Sequence, residues 1–169
     1  MNMTNRPPAP ADMTEAFSRQ DTGETKHSGT PEHARWDGPL THWIENHPVE
    51  VVQEWIVKYG LRHQLFEGED ARRLATDILT YLHHHDEALR WSVFYQLDGA
   101  GIGDILGSVG LSVFWSGGSL TPEGQPPVYP PAGAATKILL SAGKQLVVLC
   151  APGNDLSEGV RRFLGEQPD

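Results

Sequence analysis

The sequence Ile138-Leu-Leu-Ser-Ala-Gly-Lys-Gln-Leu-Val-Val-Leu-Cys150 contains two apolar runs separated by a short segment with a glycine. Residues 138–141 and 145–150 have the lengths of strands, and Ala142-Gly-Lys144 between them is typical of a tight turn. The second run is almost entirely apolar, which is characteristic of a central strand covered on both faces. This stretch therefore predicts a β-hairpin that ends at Cys150.

Two segments before this hairpin show the alternation of apolar residues that is typical of strands. The alternating positions are Trp91, Val93, Tyr95 and Leu97 in the first segment and Val109, Leu111, Val113 and Trp115 in the second. Residues 116–135 are rich in glycine and proline and predict a loop. Together with the hairpin, these segments predict a mainly antiparallel sheet of about four to five strands.

Helical periodicity is found on both sides of the predicted strands. Residues 48–60 and 69–85 carry apolar residues at helical spacing and predict an N-terminal pair of helices, the first of which would end at Gly60. Asp155 is followed three residues later by Glu158, a capping pattern that predicts a closing helix. The predicted fold class is therefore α+β, with the helices packed on the sheet.

The first part of the chain differs in composition from the rest. Residues 1–38 lack a sustained apolar period and contain several prolines and glycines, which predicts a disordered N-terminal tail. Residues 39–169 are predicted to form a single α+β domain that includes the loop at 116–135. Because the N-terminus lacks the apolar core of a signal peptide and no apolar run approaches a membrane span, the protein is predicted to be cytoplasmic and not to bind membranes.

The net charge restricts the classes of partner. There are 22 Asp and Glu residues against 13 Lys and Arg residues, which gives a net charge of −9. Such a charge repels phosphate polyanions, so the sequence argues against nucleic-acid binding. A small antiparallel sheet leaves an edge that must be covered or paired, which makes a homodimer possible.

Several histidines are candidates for a metal site. His47, His83 and His84 are the alternative set, because a helix hairpin could bring the first of them near the other two. Adjacent histidines on a helix point in different directions, however, and positive or polar side chains are common where a helix ends. The preferred interpretation is that these histidines are solvated, and no metal or other cofactor is predicted.

Cys150 is the candidate nucleophile, since it lies at the end of a predicted strand and before a predicted helix N-terminus. The segment Gln145-Leu-Val-Val-Leu-Cys-Ala-Pro-Gly-Asn-Asp155 and the helix after it resemble the strand, Cys-x-x-Gly loop and helix of the rhodanese family. This resemblance implies sulfur transfer through a cysteine persulfide, with a basic residue supplied by Arg161, Arg162 or Lys144. The other interpretation is an inert cysteine in the core.

Large aromatic residues are the candidates for partner binding, because they are enriched in interfaces. The candidates lie at the junction between tail and domain or beside the proline-rich loop, and they are Trp36, Trp43, Trp115 and Tyr129. Pro126-Pro-Val-Tyr129 also matches the Pro-Pro-x-Tyr pattern that WW domains bind. Without other catalytic motifs, the sequence predicts a small intracellular adaptor or chaperone-like protein-binding domain with no catalytic activity. The alternative is a sulfur-transfer enzyme that uses Cys150.

Overall fold

Helices account for the regular secondary structure. The computed structural model describes residues 35–100 and 104–168, and that part of the chain contains α-helices and no β-strand. The helices are α1 (Gly38–Asn46), α2 (Val49–Arg62), α3 (Glu69–His84), α4 (Glu87–Ala100), α5 (Ile105–Ser116), α6 (Ala134–Cys150) and α7 (Leu156–Gly165), and a 3₁₀ turn at Pro152–Asn154 precedes the last of them. The predicted α+β fold with an antiparallel sheet is therefore wrong.

The first predicted strand lies within α4. Its buried face consists of Arg90, Val93 and Leu97, which follow helical spacing, whereas Tyr95 is 67% exposed. Alternation would have placed Tyr95 on the same face as Val93. Because the core position 90 is an arginine, a pattern based on apolar residues does not show the helical period. Apolar residues at every second position from Trp91 to Leu97 resemble a strand instead.

The second predicted strand lies within α5, the central helix of the fold. Nine of the twelve residues of α5 are buried, including polar Ser108 and Ser112. A helix surrounded by protein on nearly all sides needs no polar face, so its sequence shows no amphipathic period. Glycines in α5 allow neighbouring helices to approach closely. At Gly110, for example, an added Cβ atom would lie 2.7 Å from Leu97 Cδ2 on α4.

The predicted hairpin is also wrong, because α6 continues through it without interruption. Gly143, which was interpreted as the turn residue, is a buried helical residue packed against α1. A Cβ atom at this position would lie 2.9 Å from Ile44 Cδ1. The buried residues of α6 recur at helical spacing and are Leu139, Ala142, Gly143, Leu146 and Val147.

The remaining local predictions are closer to the structure. Helices occupy both N-terminal segments that were predicted to be helical, although α2 continues beyond Gly60 to Arg62. The loop predicted at 116–135 corresponds to the connection between α5 and α6. The cap of α7 is confirmed, since the Asp155 carboxylate accepts a hydrogen bond of 3.0 Å from the Glu158 backbone N–H.

The core is built around α5, which packs against α2, α3, α4 and α6, while α1 and α7 pack against α6. Trp55 joins α2 to α7, because its indole N–H donates to the Phe163 carbonyl at 3.1 Å. These helices belong to one compact unit, residues 36–169. The disordered tail predicted at 1–38 lies almost wholly outside the described residues. None of the described helices combines the length and apolar character needed to cross a membrane.

Candidate protein-binding surface

Two of the four predicted partner-binding residues lie at one groove. The groove has a volume of about 500 Å³ and lies between the α5–α6 loop and the first residue of α2, Val49. Trp115 and Tyr129 both line it, and we call it the Trp115 groove. Tyr129 is 67% exposed and the neighbouring Val128 is 51% exposed. The groove therefore combines a concave surface with exposed apolar side chains, as many binding sites do.

Hydrogen bonds within the loop hold these exposed residues in place. The Leu120 backbone N–H donates to the Val128 carbonyl at 2.7 Å. In return, the Val128 backbone N–H donates to Ser119 Oγ at 3.1 Å. The Thr121 hydroxyl donates to the Pro126 carbonyl at 2.8 Å. The loop is therefore ordered before any partner arrives.

A fully buried arginine anchors this loop to the helices. The Arg90 guanidinium donates to the Phe114 carbonyl at 2.7 Å and to the Ser119 carbonyl at 2.8 Å. It also forms a bidentate pair with Glu87, with N–O distances of 2.8 and 2.6 Å. These bonds lower the pKa of the Glu87 carboxyl below its ordinary value, although burial opposes the effect. Arg90 thus connects α4, the end of α5 and the loop.

Glycine is required where the loop leaves α5. A Cβ atom at Gly117 would collide with the Tyr81 hydroxyl, and it would lie 2.5 Å from Arg90 Cδ. Gly118 has a φ of +152°, a backbone conformation that residues with side chains rarely adopt. The two glycines therefore allow the chain to pass directly over the buried guanidinium.

The other two predicted partner-binding residues are not at this groove. Trp43 packs against His47 and Phe163, with ring centroids 4.8 and 5.9 Å apart. It lines a smaller cleft of about 260 Å³ together with Val51. Trp36 is partly buried against the core. Both residues contribute to packing at the α1 side of the molecule.

Cys150 does not have the surroundings that the resemblance to rhodaneses implies. It is the last residue of α6, so the strand that should precede the cysteine is a helix. Burial, and secondarily the Glu166 charge, raise the pKa of the thiol. A raised pKa reduces the thiolate fraction, and the thiolate is the nucleophile. The alternative sulfur-transfer function thus gains no support from the structure.

The basic residues that were suggested as partners of Cys150 are engaged elsewhere. Arg161 and Arg162 both pair with Glu158, at 2.6 and 3.0 Å. Lys144 pairs with Asp37 at 2.7 Å. These ion pairs hold the three cations in contacts with carboxylates.

The histidines of the alternative metal site are not brought together as ligands. The His47 ring Nδ1 lies 2.8 Å from the Trp43 carbonyl, within its own helical turn. His83 and His84 are exposed in the last turn of α3. Across residues 35–100 and 104–168, no three His, Cys, Asp or Glu side chains converge in a manner that could hold a metal ion.

Comparison with protein-family models places most of the helical unit in a family. A family model described as a family of unknown function (DUF6931) matches residues 50–166, which is more than half of the 169-residue chain. The chain belongs to this family. The DUF6931 match begins near the start of α2 and ends just after α7, so it includes Trp115, Tyr129 and Arg90. A search of curated proteins and a search of solved structures each give no match.

Sequence reasoning missed Arg90, the residue that anchors the loop beside the groove in this DUF6931 chain. A signal was available, because Glu87 precedes Arg90 by three residues and Trp91 by four. Opposite charges at this spacing are typical of a helix and not of a strand. In the structure Glu87 accepts hydrogen bonds from both residues.

Proposed function

We propose that this domain is a non-catalytic protein-binding module and that it contacts its partner through the Trp115 groove. The observation that carries the proposal is the exposure of Tyr129 and Val128 on a loop that is already ordered by internal hydrogen bonds. Exposed apolar side chains that need little ordering are well suited to binding, because less conformational entropy is lost on association. Tyrosine and tryptophan are also the side chains most enriched among residues that dominate binding energy.

The Arg90 anchor supports the same proposal. A fully buried guanidinium with two backbone carbonyls and a carboxylate as partners holds the root of the loop against the helices. A buried charge of this kind contributes little net stability compared with an apolar residue of similar size. Its contribution in this molecule is a defined loop position, which a preformed binding surface requires.

Affinity capture with matched variants tests the proposal. Tyr129→Ser removes the exposed ring from the groove, whereas Tyr95→Ser removes an equally exposed ring from α4. A protein captured from native cells by the unaltered chain and by Tyr95→Ser, but lost with Tyr129→Ser, is the expected result. Recovery of the same proteins by all three chains would contradict the proposal.

A titration with the identified partner makes the test quantitative. Tyr129→Ser is expected to weaken binding at least tenfold, roughly the loss of 1.4 kcal/mol that marks an important interface residue. Because Pro126, Pro127, Val128 and Tyr129 are all exposed, a recombinant WW domain is titrated in parallel as a defined probe. Variants are compared only if their thermal unfolding midpoints agree.

A further inference from the structure

A second cleft lies at the opposite end of α5 from the Trp115 groove. Ile105 and Leu106 line it, and Ile105 is ten residues before Trp115, which is about 15 Å along a helix axis. The cleft has a volume of about 360 Å³. Leu149 lies at its edge near the end of α6 and is 66% exposed. The cleft is therefore lined in part by apolar side chains, one of which is an exposed leucine.

The charged residues that line this cleft are all acidic. Glu67, Asp70 and Asp104 line it, and no Lys, Arg or His side chain is among its described lining residues. Glu67 and Asp70 are exposed and form no ion pair with any described residue. Asp104 caps the α5 N-terminus by accepting from the Gly107 backbone N–H. We call this site the acidic cleft.

Several acidic residues elsewhere in the same unit differ from those of the acidic cleft, because a cation neutralises them. Glu54, Glu87 and Glu158 each have a Lys or Arg partner within 3 Å. At the cleft, three of the carboxylates that contribute to the net charge of −9 lie together and produce a local negative potential. The surface is therefore complementary to positive charge and to apolar groups at the same time.

From this complementarity we infer that the acidic cleft binds a cationic, amphipathic segment of a partner protein, with Lys or Arg side chains beside a leucine-like residue. A second copy of this chain is disfavoured, because two molecules of charge −9 repel each other. Residues 1–34 of the chain are a poor occupant as well, since they contain three Lys and Arg residues against five Asp and Glu residues. This interface is additional to the one at the Trp115 groove and does not depend on it.

Defined peptides test the inference with the full-length protein. The probes are fluorescently labelled amphipathic peptides of roughly four helical turns, built from Lys and Leu, from Glu and Leu, or from Lys and Ser. Fluorescence anisotropy is expected to show that only the Lys/Leu peptide binds, and that added salt weakens the binding because it screens the charges. Equal binding of the Glu/Leu or the Lys/Ser peptide would overturn the inference.

Variants with matched charge separate the cleft from the general field of an acidic protein. Glu67→Gln with Asp70→Asn is expected to weaken binding of the Lys/Leu peptide at least about tenfold. Glu45→Gln with Glu123→Gln changes the net charge equally at exposed positions outside the cleft, so it is expected to have a much smaller effect. Equal loss in the two double variants would refute the site.

Apolar variants complete the test. Leu149→Ser is expected to weaken peptide binding, whereas Tyr95→Ser, which removes an exposed apolar group from α4, is not. Tyr129→Ser is expected to leave peptide binding unchanged, which keeps this result separate from the test of the Trp115 groove. Leu149, Tyr95 and Tyr129 are all largely exposed, and thermal unfolding of each variant checks that its fold is retained.

Discussion

Among single residues, Arg90 and Gln53 are the two large polar side chains buried completely in the described core. Their hydrogen bonding differs. Every nitrogen of the Arg90 guanidinium has a partner, whereas Gln53 donates from Nε2 to Ser112 and Ser116 at 3.1 Å and its Oε1 has no partner among the described residues. An unpaired buried carbonyl costs about 1–3 kcal/mol. Burial of Gln53 therefore has a free-energy cost that burial of Arg90, whose nitrogens all have partners, does not have.

Replacement of Gln53 measures this cost. In Gln53→Met the unpaired oxygen disappears, and both serine hydroxyls keep the backbone carbonyls to which they donate. The free energy of unfolding is expected to be retained or raised by up to about 1 kcal/mol. Gln53→Glu buries a charge and is expected to lower it by about 3 kcal/mol or more. Chemical denaturation measures both, and a loss above about 2 kcal/mol in Gln53→Met would contradict this account.

The Glu87–Arg90 pair predicts a pH dependence of stability. Because the folded pKa of Glu87 lies below its unfolded value, the pair stabilises the fold fully at pH values above the ordinary pKa of a glutamate. That stabilisation declines as the pH falls and is lost below the folded pKa. Glu87→Gln is expected to lower the free energy of unfolding at neutral pH by about 1–2 kcal/mol, a range that allows for the solvent exposure of Glu87.

The same variant is expected to flatten the decline in stability on the acidic side, as measured by denaturation between neutral and acidic pH. Glu45→Gln is the control, since Glu45 is exposed and forms no ion pair with the described residues. An acid slope that is the same in Glu87→Gln and in the unaltered protein would show that the pair does not titrate in this way.

Cys150 is expected to react slowly. Since burial raises the pKa of its thiol, less thiolate is present at neutral pH than for a free cysteine. Iodoacetamide should therefore modify the native protein more slowly than the same chain unfolded in urea, which serves as the control. Faster reaction of the native protein would indicate an activated nucleophile and would revive the sulfur-transfer alternative.

At the scale of elements, close contacts between helices are made at glycines. Gly110 on α5 lies where α4 approaches, and an added Cβ atom would also lie 3.4 Å from Val93 Cγ1. At Gly99 on α4, no atom of the described residues lies within 4 Å of such a Cβ atom. The two positions therefore separate the effect of packing from that of helix propensity.

Gly110→Ala is expected to lower the free energy of unfolding by about 1–2 kcal/mol, because overpacking outweighs the gain in helix propensity. Gly99→Ala is expected to raise it by up to about 1 kcal/mol, since only the propensity changes. Thermal or chemical denaturation distinguishes the two. A stabilising Gly110→Ala would mean that Leu97 can move aside without cost.

At the scale of the whole molecule, the helices share one core. Trp55, Tyr59 and Phe163 connect α2 with α7, and α5 contacts four other helices. A small domain with one core usually unfolds in a single cooperative transition. The predicted homodimer rested on the edge of a sheet, and the described part of the chain has no sheet. The homodimer therefore stays a prediction, and the sheet edge no longer supports it.

Cooperative unfolding has a direct test. Far-ultraviolet circular dichroism follows all the helices, while tryptophan fluorescence follows rings in α1, α2, α4 and α5. The two transitions are expected to coincide in urea, and the native spectrum is expected to have the double minimum of α-helix. Transitions that separate would indicate that part of the helical unit unfolds independently of the rest.

Some of this architecture was determined by the sequence alone. α3 and α7 are amphipathic helices with local start signals, and the proline- and glycine-rich connection at 117–133 cannot continue a helix. Such features depend on residues a few positions apart. Tyr129 and Trp115 were also recognisable from the sequence as candidates for binding a partner, because both are large aromatic residues beside this connection.

The helical state of α4, α5 and α6 became evident only in the tertiary structure. In α5, nine of the twelve residues are buried, so no polar face reveals the helical period. In α4 the buried Arg90 occupies a core position, and in α6 the predicted turn residue Gly143 packs closely against α1. The Trp115 groove and the acidic cleft depend on the same packing, because each is lined by residues from several helices. Contacts between distant segments decide such features, and local periodicity contains no information about them.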